Sequence, residues 1–333
     1  MKRVVAALAA VCAVSLLLTG ESAPAQRPLR VGYVVGYGAT PDPNDLFGLP
    51  YFAFIRAVEK FGIEGRVLEV PPNQDPTAAL SLFARQGYDL VIMGMADPPF
   101  AVTSVASEYG TTKFLLPDIL WQYAPGVPKN VEGTDFRAGE AGYLAGYLAG
   151  LMEKRRPGRD VIGSVGGFRF LGVDRWIIGF EAGARRADPG IVMLKTYTNN
   201  FTTPAVCKTA ALSQIAKGAG VVFNVAGECG LGTLAAAKEK GVWAVGVDVD
   251  QSFFGPTILT SAVLRLDRAV YDAIDALVRG RFRTGGNTVF DLRNGGVALG
   301  KISPKVPAAY LQRLEAVRRQ IVAGRIQVPR VPG

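Results

Sequence analysis

Residues 220–247 read GVVFNVAGECGLGTLAAAKEKGVWAVGV. The apolar run 220–225 is short and nearly unbroken, the pattern of a strand buried on both faces. It stops at a glycine-rich turn, residues 232–240 carry a helix, and a second buried run follows at 242–247. Two buried strands joined through a helix form the crossover unit of a parallel sheet.

The unit repeats upstream. Strands are expected at 29–37, 67–70, 89–94 and 113–116, separated by helices at 48–61, 76–85 and 100–109, with Asp75 placed to cap the second helix. After a turn region at 125–128 the alternation restarts with helix 139–152, strand 161–165, helix 175–187, strand 191–197 and helix 204–217, and then reaches the opening stretch. The pattern predicts an α/β protein of two doubly wound parallel-sheet lobes, in line with ~150 residues per domain. Beyond them, 257–264 reads as a strand, 267–278 as a helix, 290–299 as two short strands and 307–323 as an amphipathic helix ended by Gly324. These surplus elements return the chain to the first lobe, so it crosses between lobes several times and makes a hinge. The expected division is lobe 1 at 27–131 plus 257–285, and lobe 2 at 132–256 plus 286–333.

Ligands of parallel α/β sheets sit beyond the carboxyl ends of the strands. With two sheets facing one another, the segments 36–47, 94–99, 117–123, 166–175, 198–203, 226–230 and 248–254 point into one cleft. Phe47, Trp121, Phe168, Trp176 and Phe201 fall in or beside them, and several aromatics on one rim favour a flat or sugar-like ligand. Each is also an ordinary core residue type, and stacking and core packing weigh equally for any one of them. Asp248-Val249-Asp250 is too sparse for a metal site, but a carboxylate at a strand end offers two acceptor oxygens to a ligand diol. Residues 227–232, GECGLG, have the wrong glycine order for a dinucleotide fingerprint and read as a tight turn where backbone approaches a ligand.

Composition removes much else. Hydrophobic residues are 49% of the 333, enough for a sizeable core, and there is no histidine, which excludes histidine-based triads and imidazole metal sites. Three cysteines are too few for an all-cysteine zinc site. Lys2 and Arg3, the apolar run 4–18 and Ala23-Pro24-Ala25 form a secretory signal peptide, 1–25, cut after Ala25. Glu21 stands where a lipoprotein would need cysteine, so a soluble periplasmic protein is expected. The formal charge of +9 is scattered over separate segments, which argues against a nucleic-acid partner. Export leaves Cys207 and Cys229 in an oxidising compartment. Both lie at the same edge of a parallel layer, where a disulfide and two free thiols are both open.

Residues 136–149, FRAGEAGYLAGYLA, resemble the E-x-A-Y-L-A-G-x-x-A helix of the basic membrane protein family, the purine-nucleoside-receptor-like substrate-binding proteins of ABC transporters. Residues 175–183, RWIIGFEAG, are similar to its R-F-x-x-G-F-x-A-G, 246–251 match G-V-D-x-D-Q, and 259–261 match L-T-S. The likeness runs through almost the whole chain after the signal peptide. It implies the type I periplasmic binding protein fold, two lobes joined by a three-crossing hinge. It also implies a small-molecule ligand, an inner-membrane ABC permease as partner, no catalysis, no cofactor and no metal, in what is expected to be a monomer. By position, Phe47 and Phe201 resemble the stacking pair, Asp118 the acid that meets the base, Asp248 the ribose acid and Gly227 a backbone contact. Two positions depart from the family. Residues 46–49, LFGL, replace S-F-N-Q, with Asn44 and Asp45 as candidate replacement contacts, and Leu264 stands where the family has lysine. Each lost partner on a buried polar ligand costs ~1–3 kcal/mol, so the ligand class is a small aromatic or hydroxylated solute, purine nucleoside or nucleobase-like. The same cleft feeding a membrane sensor is one alternative. A secreted nucleoside or sugar hydrolase is the other, and it would want an acid cluster or activated nucleophile that the sequence lacks.

Overall fold

The computed structural model describes residues 27–330 except 36–41, 43–44, 47, 72–73, 95–98 and 120–125. The signal peptide, Asn44, Phe47 and Trp121 therefore lie outside the described residues. The first half alternates β1 (Arg30–Val35), α1 (Gly48–Phe61), β2 (Glu64–Glu69), α2 (Thr77–Arg85), β3 (Leu90–Gly94), α3 (Pro99–Glu108), β4 (Lys113–Leu116) and β5 (Val131–Phe136). The second half runs α4 (Ala138–Glu153), β6 (Val161–Gly166), α5 (Leu171–Ala187), β7 (Val192–Tyr197), α6 (Pro204–Ala216), β8 (Val221–Val225), α7 (Gly230–Lys240), β9 (Trp243–Asp248) and β10 (Ile258–Leu264). The tail adds α8 (Leu266–Val278), β11 (Gly286–Phe290), β12 (Val297–Leu299) and α9 (Ala308–Val322). No helix among the described residues is long and apolar enough to cross a membrane.

The strands form two six-stranded sheets, ordered β11-β5-β4-β3-β1-β2 and β12-β10-β9-β8-β6-β7. The β12–β10 pair is antiparallel; every other pair is parallel. Apolar clusters fill both faces of each sheet, which is why β3, β6, β8 and β10 are buried along their whole length.

Strand pairing moves the expected crossings. Residues 258–264 pair with β9 in the second sheet, not the first, and 286–290 pair with β5 in the first sheet, not the second. Residues 131–136, where the sequence pattern predicts no element, are a full strand. The chain therefore passes between sheets at 136–138, at 264–266 and at 290–297. Helix α8 packs on the first sheet, where Val270 and Ile274 join Val31, Phe54 and Ile92. β5 escapes a hydrophobic reading because Glu132 and Thr134 are buried in it. Their polar atoms are matched: Thr288 Oγ1 donates to Glu132 at 2.9 Å, and the Asp118 N–H donates to Thr134 Oγ1 at 2.6 Å.

Helices α4 and α5 meet backbone to backbone. A Cβ on Gly146 would stand 1.9 Å from the Phe180 carbonyl oxygen, and one on Gly183 would stand 1.9 Å from that of Tyr143. A Cβ on Gly142 would stand 2.5 Å from the Trp176 carbonyl oxygen, and one on Gly179 would stand 2.1 Å from that of Gly139. Only residues without a side chain allow this approach. A Gly146→Val substitution should lower the unfolding free energy by about 3 kcal/mol, read from urea denaturation followed by circular dichroism. An unchanged midpoint would mean the helices are not held this close.

Candidate functional site

Asp118 and Asp248 occupy matching places. Asp118 lies just past β4 and Asp248 ends β9, and these strands stand third from the edge in their respective sheets. Both have left-handed backbones, with φ of 57° and 66°. That conformation is uncommon for residues with side chains, though aspartate tolerates it better than most. It is a mark of constrained functional turns.

The two lobes touch through Arg175, the fifth residue of α5. Its Nη2 donates to both Asp118 oxygens, at 2.7 and 2.8 Å, and its Nη1 reaches the Phe136 carbonyl at 3.4 Å. The ion pair is largely buried, with side-chain exposures of 17% and 12%. A buried pair with two bonds to the carboxylate is a strong, orientation-specific contact. Arg175 Nε is buried and has no hydrogen-bond partner among the described residues. Burial opposes the guanidinium charge, but Asp118 and then Asp248 outweigh it, so Arg175 is held more firmly cationic than usual. Burial raises Asp118, and Arg175 offsets part of that.

Asp248 makes no ion pair among the described residues, although the Arg175 charge is near enough to act on it. Burial, then the Asp118 charge, push its carboxyl up to about 7, with Arg175 pulling the other way. No hydrogen bond to its carboxylate is present among the described residues. Leu264 is apolar and 1% exposed at the end of β10.

The aromatic wall stands on the second lobe. The Phe201 ring lies over Gly167, where a Cβ would come within 2.1 Å of it, and Phe168 and Phe170 flank it at centroid distances of 5.2 and 6.2 Å. Phe168 and Phe170 stay 44% and 51% exposed. Gly227 has φ of 54° and lies 3.2 Å, measured from a Cβ built on it, from the Phe201 carbonyl, so a side chain there would be strained. The Cys229 N–H donates to that carbonyl at 2.9 Å. Cys207 and Cys229 form a disulfide, with Cα atoms 5.4 Å apart, which ties the start of α6 to the turn after β8.

Three expected residues serve structure. Trp176 is 2% exposed in the core of the second lobe, because α4 covers its face of α5. Leu264 belongs to the same core and offers no polar contact. Asp45 accepts the Gly48 N–H at 2.5 Å and so caps α1. The structure adds Arg175 and Phe170. Arg175 was legible as one of only two cations, with Arg169, in the strand-end segments.

Two facing parallel sheets, a three-crossing hinge and paired acids at equivalent strand ends define a two-lobed solute-binding protein of the type I periplasmic class. The family model for ABC transporter substrate-binding proteins, PnrA-like, matches residues 51–331, and the chain belongs to that family. It is 31% identical over 234 residues to basic membrane protein B of Borrelia garinii, covering 69% of this chain and 66% of that protein, just under two thirds of its length. It is 28% identical over 303 residues to the CD4+ T-cell-stimulating antigen of Listeria monocytogenes, covering 86% and 82%. The solved ABC transporter solute-binding protein of Aeropyrum pernix K1 superposes with a TM-score of 0.74 at 25% identity, over 91% of this chain and 94% of that one.

Two outcomes follow. A carboxyl whose folded-state pKa lies above its unfolded value of ~3.9 favours folding when protonated, so the ligand-free protein should gain stability as pH falls from about 8 to about 5. Asp248→Asn should flatten that gain, measured as the difference in melting temperature between variant and wild type across the range. The difference removes the background from Glu132, Glu140 and Glu153, which burial also raises. Replacing both cysteines by alanine should cost about 3 kcal/mol in urea denaturation, the chain-entropy value for a loop of this length.

Proposed function

We propose that this protein is the periplasmic receptor of an ABC importer and captures a small aromatic or hydroxylated solute, purine nucleoside or nucleobase-like, between its lobes. The observation that carries the reading is the meeting of Asp118, Arg175 and Asp248 between two sheets that the chain crosses three times. A ring stacks on Phe201, with Phe47 opposite it by the family resemblance, and hydroxyl or ring N–H groups donate to Asp248. Solute docks on one lobe and the other closes about the hinge. Closure is favoured only as far as solute binds the closed form better than the open one. The inner-membrane permease then meets the closed pair of lobes. The solute leaves unchanged, and the protein works as an exported monomer.

The test is mass spectrometry of whatever co-purifies, followed by a thermal-shift panel of nucleosides and nucleobases. A true ligand at 100 times its dissociation constant adds ~2.7 kcal/mol of stability. Asp248→Ala and Phe201→Ala should each abolish most of the shift. Normal binding by both variants would place the site elsewhere, and consumption of the solute would make the protein an enzyme.

A further inference from the structure

A cavity of about 410 Å³ opens at the far end of the second lobe, lined by Met152, Glu153, Arg155, Arg156, Trp243 and Lys305. Small-molecule sites fall in the range of ~300–1,000 Å³. α4 ends at Glu153 and β9 begins at Trp243, whereas Asp248 ends β9. At ~3.3 Å per residue the cavity stands roughly 17 Å from Asp248, at the opposite edge of the sheet. It is not part of the solute cleft.

The cavity contains a buried acid. Glu153 is 1% exposed. Its Oε1 pairs with Arg156 Nε at 3.2 Å and accepts the Val161 N–H at 3.3 Å. Its Oε2 is buried and has no hydrogen-bond partner among the described residues. Gly220 keeps the space beside Oε2 clear, since a Cβ there would stand 2.1 Å from it. A buried carboxyl oxygen left unmatched is costly, and a hydrogen-bond donor on a ligand removes that cost.

The rim is basic. Arg156 is engaged within the protein, by Glu153 and by the Gly218 carbonyl. Arg155 and Lys305 are exposed and form no ion pair among the described residues. Arg155 follows the C-terminus of α4, where the helix dipole favours a cation. Lys305 comes from the segment between β12 and α9, so that reason does not apply to it. Its Nζ lies 5.8 Å from the centre of the half-buried Trp243 ring. Two cations without acids suit an anion held by charge-assisted hydrogen bonds, and an indole beside a methionine suits a flat ring.

We infer that this cavity is a second binding site, for a small aromatic anion that also carries a hydroxyl or N–H group. The anionic group lies between Arg155 and Lys305, the ring lies on Trp243, and the hydroxyl or N–H donates to Glu153 Oε2. The site does not rest on the reading of the cleft.

The probe is 4-hydroxybenzoate, titrated into the full exported protein at low salt and followed by calorimetry and tryptophan emission. Benzoate lacks the donor and 4-hydroxybenzamide lacks the charge. The probe should bind about tenfold tighter than either, equivalent to ~1.4 kcal/mol. Arg155→Gln and Lys305→Gln, both at exposed positions, should each weaken it about as much, and Trp243→Phe should remove the emission change. Asp248→Ala and Phe201→Ala should leave probe binding unchanged. No binding of the probe, binding indifferent to Arg155→Gln and Lys305→Gln, or binding lost in the two cleft variants overturns the second site. Equal binding of benzoate overturns the part given to Glu153, and equal binding of the amide overturns the anionic class.

Discussion

The contact on which the rest depends is the backbone approach of α4 and α5. Glycines at 139, 142, 146, 179 and 183 let the two helices meet main chain to main chain. Because α4 begins two residues after β5, the first crossing between sheets is rigidly attached to this pair. The N-terminal part of α5 is carried with it to the lobe boundary, where Arg175 reaches Asp118 and the Phe136 carbonyl. A pair of ordinary helices, spaced 8–10 Å apart by their side chains, would hold Arg175 farther from the crossing.

The site is asymmetric in its mechanics. The second lobe supplies a stiff wall, in which three strand-end turns are tied together. Phe201 is bonded to the turn after β8, the disulfide joins that turn to α6, and Thr198 bonds back to the turn after β6 at the Gly166 carbonyl. The first lobe supplies Asp118, which the lobes share through Arg175. That ion pair joins side chains from the two sheets, so it resists their separation. Burial first, and then the charge of Asp118 at the equivalent strand end, make Asp248 resist ionisation more than an isolated surface aspartate does.

Most of the alternation was legible, because strands buried on both faces must be apolar throughout and helices between them must be periodic. β5 was not. Its VEGTDF sequence buries Glu132 and Thr134, and only their partners, Thr288 and the Asp118 N–H, make that burial tolerable. Those partners are distant in sequence or on another element, so no local pattern announces them. The assignment of 258–264 and 286–290 to sheets failed for a related reason: a strand's own sequence says that it is buried, not which neighbour buries it. Trp176 shows the same limit within the site. It lies beside a strand-end segment, as a stacking residue would, but helical geometry turns it toward α4.

The sequence by itself determined the two-sheet alternation, the glycine pairs that set the helix contact, the family and the acidic character of the strand-end segments, since each is written in local composition and spacing. Only the tertiary structure decided which strands share a sheet, that Cys207 and Cys229 are joined, that Trp176 and Leu264 are core, and that Arg175 answers Asp118. Those are facts about groups brought together from distant parts of the chain, and distance in space is set by packing, which local sequence does not encode.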